Sequence, residues 1–360
     1  MSFIQKLYRG ESRYQFIGHR KRWYLASLIF IVISLLSMVF RGFNYGIEFA
    51  GGSQFQLPVS GTHLTTGQVT SAFAAVGLPG ENPAQRVGSG ATESIIIATK
   101  DIGAVQEDSI LKAVSAKLDI AQDKISATTV SSEWGHDITV KAVEGLIIFL
   151  IVVSIYIAIR FQWRMAVGGI VALLHDLLVA AGIYSLVGFQ VTPSTVVGLL
   201  TILGFSLYDT VVVYDKVAEN SKDLLSGARM TFSEAANTAV NQTLMRSFNT
   251  SLIALLPVAG LLFIGAGVLG VGTIKDLALI LFVGLASGAY SSLFLATPIV
   301  VDLTEREPAY KALTKRVLAR RASDAKRGDV EPVAVAAGSR ALSGPMPAPK
   351  PGARPDRRKR

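Results

Sequence analysis

The sequence predicts a polytopic α-helical membrane protein that carries one α+β domain outside the bilayer. Half of its 360 residues are hydrophobic and only 17% are charged, which is typical of a membrane protein with some soluble mass. Six apolar stretches are long enough to cross about 30 Å of hydrocarbon at about 1.5 Å per residue. Residues 41–141, between the first two stretches, show the patterns of strands and amphipathic helices instead.

The six predicted spans are separated by segments whose charge indicates their side of the membrane. Lysines and arginines cluster before residue 23, between spans 2 and 3, from 216 to 246 and after 304. The positive-inside rule places these clusters and both termini in the cytoplasm, and residues 41–141 outside. The predicted spans are residues 23–40, 142–159, 165–187, 193–217, 245–266 and 277–300.

The remaining segments follow from these bounds. Residues 1–22 form a cytoplasmic N-terminal segment, 218–244 a cytoplasmic loop and 304–360 a basic, disordered cytoplasmic tail rich in Pro, Ala and Arg. No small-residue cleavage pattern follows the first span, so we expect an uncleaved anchor. The net charge of +9 lies mainly in the terminal segments, which indicates membrane orientation rather than nucleic-acid binding.

The extracytoplasmic segment predicts a ferredoxin-like fold. Strand patterns occur in "SQFQLPV", "ESIIIATK" and "ISATTV", and "PAQRV" supplies a hairpin partner. "TTGQVTSAFAAVGL" and "VQEDSILKAVSAKL" are helical. The resulting order is β-α-β-β-α-β, a split arrangement of two units.

Asp209 interrupts the apolar run of the fourth span, about 9 Å inside the hydrocarbon edge. A carboxylate at the bilayer centre costs about 3 kcal/mol on insertion scales, so an acid there indicates a functional site. Ser206 and Thr210 place hydroxyls beside it. An acid that merely reaches toward the cytoplasmic interface is the alternative, but Asp is short for this.

Two further spans carry polar side chains that could serve Asp209. His175 and Asp176 lie about 15 Å deep in the third span, where a neutral hydrogen-bonded imidazole is the alternative for His175. Arg246 begins the fifth span and is either a positive-inside anchor or the cation nearest to Asp209.

Small residues line the sixth span at four-residue spacing. Gly284, Gly288 and Ser292, with Ser287 and Ser291 nearby, predict a close helix contact and no more than packing. Pro257 and Pro298 predict kinks in the last two spans.

Four ordered motifs resemble the SecF branch of the SecD/SecF family of bacterial protein-export membrane proteins. "GFSLYDTVVVYDKVAEN" is similar to the family signature around the intramembrane acid, and "FNYGIEFAGGSQFQL" to its glycine motif after the first span. "ALLHDLL" and "QTLMRSFNTS" match the third and fifth spans. The sequence departs from the family pattern at Glu48, Ser53, Tyr208, Lys216 and Ala218.

The resemblance implies a non-enzymatic subunit of the Sec translocase in the bacterial cell membrane. The six spans would be half of a resistance-nodulation-division-type bundle, completed by SecD beside SecYEG. The unit would use the proton gradient to export unfolded polypeptides after SecA has inserted them. Asp209 would carry the proton and Arg246 would modulate its charge. From their positions in the spans, Asp176, His175, Ser206 and Thr210 are the candidates to support the proton path. The signature residues expected to be structural are Gly46, Glu48, Gly51, Gly52 and Asp215.

Other functional classes are also consistent with intramembrane acids. A proton-coupled small-molecule exporter of the same superfamily normally has two large outside loops, and a scaffold would need no proton role. An intramembrane aspartyl protease would need a Gly-x-Gly-Asp segment, which the sequence lacks. No cysteine is present, which excludes disulfides and thiolate chemistry. We expect protons to be the coupling ions and membrane lipid to surround the spans. We expect no metal, no other cofactor and no nucleic acid.

Overall fold

Six helices long and apolar enough to cross a membrane confirm the predicted fold class. The computed structural model describes residues 14–326 except 60–63, 81–83, 89, 91–92, 228 and 269–271. Within these residues the helices are span 1 (Ile17–Phe40), span 2 (Ser132–Arg160), span 3 (Trp163–Val187), span 4 (Pro193–Ser221), span 5 (Phe232–Gly265) and span 6 (Lys275–Glu305).

The cytoplasmic loop predicted for residues 218–244 is largely helical. Span 4 continues to Ser221 and span 5 begins at Phe232, so little more than residues 222–231 connects them. Thr231 starts span 5 with a capping box, because its hydroxyl accepts from the Glu234 amide at 3.2 Å and its amide donates to the Glu234 carboxylate at 2.9 Å. The predicted spans end where charged residues begin, because hydropathy detects only the apolar part of a helix. A helix with a capped first turn can extend beyond that part.

The predicted tail is also partly helical. Pro308–Lys326 forms a helix, so the disorder expected from residue 304 is wrong for this segment. The helix begins at a proline, which is favoured in a first helical turn because its missing N–H would have no helical partner there. The rest of the tail, and residues 1–13 of the N-terminal segment, lie outside the described residues.

The extracytoplasmic domain contains a four-stranded antiparallel sheet in the order β3-β4-β2-β5. The strands are β2 (Gly52–Pro58), β3 (Gln85–Val87), β4 (Ser94–Thr99) and β5 (Ser126–Val130), with helices Thr66–Ala75 and Gly103–Leu118 between them. Central β2 pairs Phe55 with Ile97 on β4 and with Ala127 on β5. This order is that of a ferredoxin-like split, which confirms the predicted pattern.

This domain is joined to the helix bundle by a strand pair and by a close backbone contact, among other contacts. The short strand β1 (Asn44–Tyr45), directly after span 1, pairs in parallel with β6 (Gln190–Val191), which lies between spans 3 and 4. Gly51 has φ +74°, and a Cβ there would lie 2.7 Å from Ser132 Cα at the start of span 2. The domain is therefore held against span 2 and against the link between spans 3 and 4.

Glycines and small residues allow the spans to approach closely. A Cβ at Gly182 on span 3 would overlap Ser34 on span 1, and one at Gly284 on span 6 would overlap Ile202 on span 4. The predicted packing role of Gly284 and Gly288 therefore agrees with the contacts of the bundle. These contacts bring the polar residues of spans 3, 4 and 6 together.

Candidate functional site: two carboxylates buried between spans 3, 4 and 6

Asp209 lies in the interior of the bundle. Its side chain is on span 4, and the residue is 2% exposed. Ser292 on span 6 donates a hydrogen bond to Asp209 Oδ2 at 2.5 Å. Thr210 is equally buried beside it. The carboxylate thus faces another span rather than the cytoplasmic interface, which argues against the snorkelling alternative.

Asp176 is the most extensively hydrogen-bonded carboxylate of the bundle among the described residues. Ser206 on span 4 and Ser291 on span 6 donate to its Oδ2 at 2.6 and 2.7 Å. Ser287 on span 6 donates to Oδ1 at 2.7 Å. Asp176 is 1% exposed, so three spans meet at one buried carboxylate. Ser206 therefore contacts Asp176 and not Asp209, the neighbour on its own helix.

His175 completes the surroundings of Asp176. Its Nδ1 lies 3.2 Å from Asp176 Oδ1, and its buried Nε2 has no hydrogen-bond partner among the described residues. The imidazole lines an apolar groove of about 310 Å³ whose walls come from spans 1, 3 and 6. The Nδ1 contact thus agrees with the interpretation of His175 as an imidazole that is hydrogen-bonded within the bundle.

A π-helical turn in span 6 positions the serines. The helix is α up to Ser291, π over Ser292–Ala296 and α again over Thr297–Glu305. Pro298 has no N–H and cannot bond the carbonyl one turn earlier, and the hydroxyl of Thr297 donates to the Ser292 carbonyl at 3.3 Å. Single π turns inside α-helices are frequent at functional sites. Pro298, from which a kink is predicted, lies two residues after the end of this turn.

The sequence analysis missed the roles of Ser287, Ser291 and Ser292. Packing explains the glycines of the stripe, but the three serines donate to buried carboxylates. Serine is small enough to satisfy a packing pattern, so spacing alone does not separate the two roles. The sequence did contain a signal for this role, since span 6 carries several hydroxyls and two other spans each carry a buried acid that could accept from them.

Arg246 is placed differently from the expectation. It lies on span 5, exposed, and forms no ion pair with Asp209 among the described residues. Span 5 begins at Phe232, so Arg246 is not at the helix end but about 21 Å along it. Span 4 ends at Ser221, on the other side of the connection between spans 4 and 5, and Asp209 lies about 18 Å along span 4 from Ser221. The two residues therefore lie at similar distances along their helices from this connection, and no hydrogen bond or ion pair joins them among the described residues.

The family-signature residues lie away from the two carboxylates. Asp215 forms an ion pair with Arg160 at the end of span 2, with an N–O distance of 3.0 Å. Gly52 has φ +119°, and a Cβ there would overlap the Thr99 carbonyl, so β2 can begin beside β4 only with glycine. Gly46 similarly adjoins the Glu48 carboxylate and the Val191 carbonyl. Among the described residues, no group of His, Cys, Asp and Glu side chains could hold a metal ion.

Two family models match the sequence. Residues 36–63 match the SecD/SecF GG motif, and residues 110–306 match the C-terminal region of the protein export membrane proteins SecD and SecF. The protein translocase subunit SecF of Streptomyces coelicolor is 48% identical over 324 residues, which cover 90% of this chain and 86% of that protein.

The chain belongs to the SecF family. Its similarity to the SecF subunit of Mycobacterium tuberculosis H37Rv is 44% identity over 335 residues, or 91% of this chain and 75% of that protein. It is thus a protein translocase subunit and a membrane protein. Its relatives carry the name of translocase subunits, which is a non-enzymatic role.

A solved structure supports the fold. The crystal structure of SecDF from Thermus thermophilus, described as a translocon-associated membrane protein, superimposes with a TM-score of 0.73 at 29% identity. The match covers 82% of this chain but only 39% of that chain. This SecF-family chain therefore corresponds to about two fifths of a SecDF protein.

Proposed function

We propose that the chain uses a proton gradient, together with a SecD-like partner, to promote export of polypeptides through SecYEG after SecA has inserted them. The observation that carries the proposal is Asp209, a carboxylate buried inside the bundle and bonded to Ser292 but to no cation among the described residues. A carboxylate inside a membrane protein is energetically costly, so its presence there indicates a function. Binding and releasing a proton is the function that suits a carboxylate without a cation partner.

Arg246 is the cation that would bias this proton. Counted along the helices, it lies about as far from the connection between spans 4 and 5 as Asp209 does, and these two spans pack against each other. No residue is buried in the most apolar part of span 5, so this helix lies at the edge of the bundle. A partner covering span 5 would desolvate Arg246 and strengthen its attraction to a nearby carboxylate.

A SecD-like chain is the partner we infer. The Thermus thermophilus SecDF is 30% identical over 314 residues, which cover 84% of this chain but 40% of that protein. The remainder of that protein would then correspond to a separate chain here. Exposed apolar residues on spans 1, 2 and 5 would face this partner or lipid; they include Leu28, Ile29, Ile147, Ile151, Ile253 and Leu256.

The extracytoplasmic domain is the part we expect to contact the exported chain. Its links to the bundle are Gly51 against Ser132 on span 2 and strand β1 against β6. A change in the packing of spans 2, 3 and 4 would therefore tilt the domain, and proton movement would become a pull on the emerging polypeptide. We also propose that the chain lies in a bacterial cell membrane with both termini in the cytoplasm, as the positive-inside rule predicts.

Gradient-driven completion of translocation in inverted vesicles tests the proposal. Asp209→Asn fixes a neutral side chain and should abolish the response to the gradient while leaving assembly intact, whereas Asp209→Glu should retain part of it. Asp223→Asn is the matched control, because Asp223 is exposed and its φ of +60° suits Asn. Wild-type gradient response in Asp209→Asn would refute the proton role and leave a scaffold.

A further inference from the structure

The two buried carboxylates are connected through consecutive residues of span 6. Ser291 donates to Asp176 on span 3, and Ser292 donates to Asp209 on span 4. Side chains of consecutive helical residues point about 100° apart, so one short segment contacts two different helices. A rotation of span 6 at this point would change both contacts together.

The π turn begins at this same pair of residues. It covers Ser292–Ala296, between two α-helical segments. A π turn accommodates an additional residue, so its conversion to α-helix would rotate Ser292 relative to one of the flanking segments. Thr297 holds the present form, since its hydroxyl donates to the Ser292 carbonyl. Span 6 can therefore change its local geometry where it meets Asp209.

Asp176 fixes the segment that precedes the turn. Its two oxygens accept from Ser206, Ser287 and Ser291, and His175 Nδ1 lies beside Oδ1. These four groups engage both oxygens of the carboxyl group. Ser291 is fully buried, and its hydroxyl lies 2.7 Å from the Asp176 carboxylate but 3.3 Å from its other acceptor, the Gly288 carbonyl on its own helix. The carboxylate is therefore the stronger of its two partners. The segment before Ser292 is thus held against spans 3 and 4.

We propose that Asp176 is a positioning residue for the proton site at Asp209. By holding Ser291, it keeps Ser292 against the Asp209 carboxylate, and protonation of Asp209 weakens that contact and frees the π turn to change. The inference rests on the proposed function, because it requires Asp209 to take up a proton from water and return it. Beyond the proposed function, the inference identifies the π turn of span 6 as the element that moves.

Few other titratable groups accompany the pair. Among the described residues, Ser292 is the side chain that donates to Asp209. Titratable side chains within the packed spans include Tyr24, Glu144, Tyr156, His175, Tyr208, Tyr214, Arg246 and Tyr290. Of these, His175 adjoins Asp176, and Tyr24 donates to Asp302 at 2.7 Å. The Ser292 contact is therefore the described side-chain hydrogen bond through which a change in span 6 would reach Asp209.

The test is the pH profile of gradient-driven export, with the pH difference across the vesicle membrane held constant. Ser292→Ala removes a donor to the ionised carboxylate and should shift the midpoint of the profile upward by about one pH unit. Ser291→Ala removes the hydroxyl that joins Asp176 to this segment without a change of charge; it should shift the midpoint in the same direction, and the Ser291→Ala/Ser292→Ala double variant no further than Ser292→Ala alone. Ser154→Ala is the matched control, because Ser154 donates at 2.7 Å to Leu150 on its own helix; it should leave the midpoint unchanged.

Three results are decisive. A lower export rate with an unchanged midpoint in Ser291→Ala would overturn the inference, and so would shifts that simply add in the double variant. Failure of the proposed function would be distinguishable, because export by the Asp209→Asn variant would then still respond to the proton gradient.

Discussion

Arg160 and Asp215 form an ion pair that fastens the end of span 2 to span 4, with both side chains about half exposed. Exposed pairs contribute about 0–1 kcal/mol because water and salt screen them. We therefore expect Asp215→Asn to change the free energy of unfolding by less than about 1 kcal/mol. The thermal unfolding midpoint in detergent, at low and at high salt, measures this. A large loss that persists in high salt would show that Asp215 has another structural role.

Substitution of Arg246 should affect function rather than folding. Its side chain is exposed in this chain and has no ion-pair partner among the described residues, so Arg246→Met should accumulate normally in the membrane. Gradient-driven export should fall by about tenfold or more, because a nearby cation favours the ionised carboxylate. Arg246→Lys should be partly active.

The control for Arg246 is Lys222→Met, which removes an exposed cation from the connection between spans 4 and 5. This variant should export as well as the wild type. Equal activity of Arg246→Met and Lys222→Met would show that Arg246 is only a positive-inside anchor.

Membrane topology can be tested with single cysteines, since the chain contains none. Ser226 lies exposed in the connection that the positive-inside rule assigns to the cytoplasm, and Ala116 lies exposed in the extracytoplasmic domain. In intact cells, an impermeant maleimide should label Ala116→Cys and leave Ser226→Cys unlabelled. Disruption of the membrane should make both reactive. Labelling of Ser226→Cys in intact cells would invert the topology.

The junction between the domain and span 2 depends on Gly51. Its φ is +74°, and a Cβ would lie 2.7 Å from the Ser132 backbone. Gly51→Ala should therefore destabilise the protein by more than about 2 kcal/mol. Gly77→Ala separates the two causes, because Gly77 has φ +84° but nothing within 4 Å. That control should cost only about 1–2 kcal/mol of backbone strain. Equal losses in the two variants would mean that the contact with Ser132 is unimportant.

Helix packing can be tested at Gly284. A Cβ there would overlap Ile202 on span 4, so Gly284→Ala should cost about 1–3 kcal/mol through overpacking. Gly204→Ala is the control, since its Cβ would meet nothing within 4 Å and alanine favours a helix by about 1 kcal/mol over glycine. Thermal unfolding in detergent should show a lower midpoint for the first variant and an equal or higher midpoint for the second. An unchanged midpoint in Gly284→Ala would show that span 6 can shift away from span 4.

The sequence by itself determined the number of spans, the fold of the extracytoplasmic domain and the positions of the buried acids. These properties depend on local patterns, namely hydropathy over a membrane thickness, alternation along strands and a charge within an apolar run. Helix ends were less well determined, because the capping of Thr231 by Glu234 acts beyond the apolar region that hydropathy detects.

Only the tertiary structure decided which polar groups meet. Ser206 shares a helical face with Asp209 but donates to Asp176, because span 3 packs against span 4 at that level. Ser291 and Ser292 are adjacent in sequence but contact different carboxylates, because span 6 lies against both other helices and changes to a π turn between them. Spacing along one helix fixes its own faces, whereas the partner of each face depends on how the helices pack.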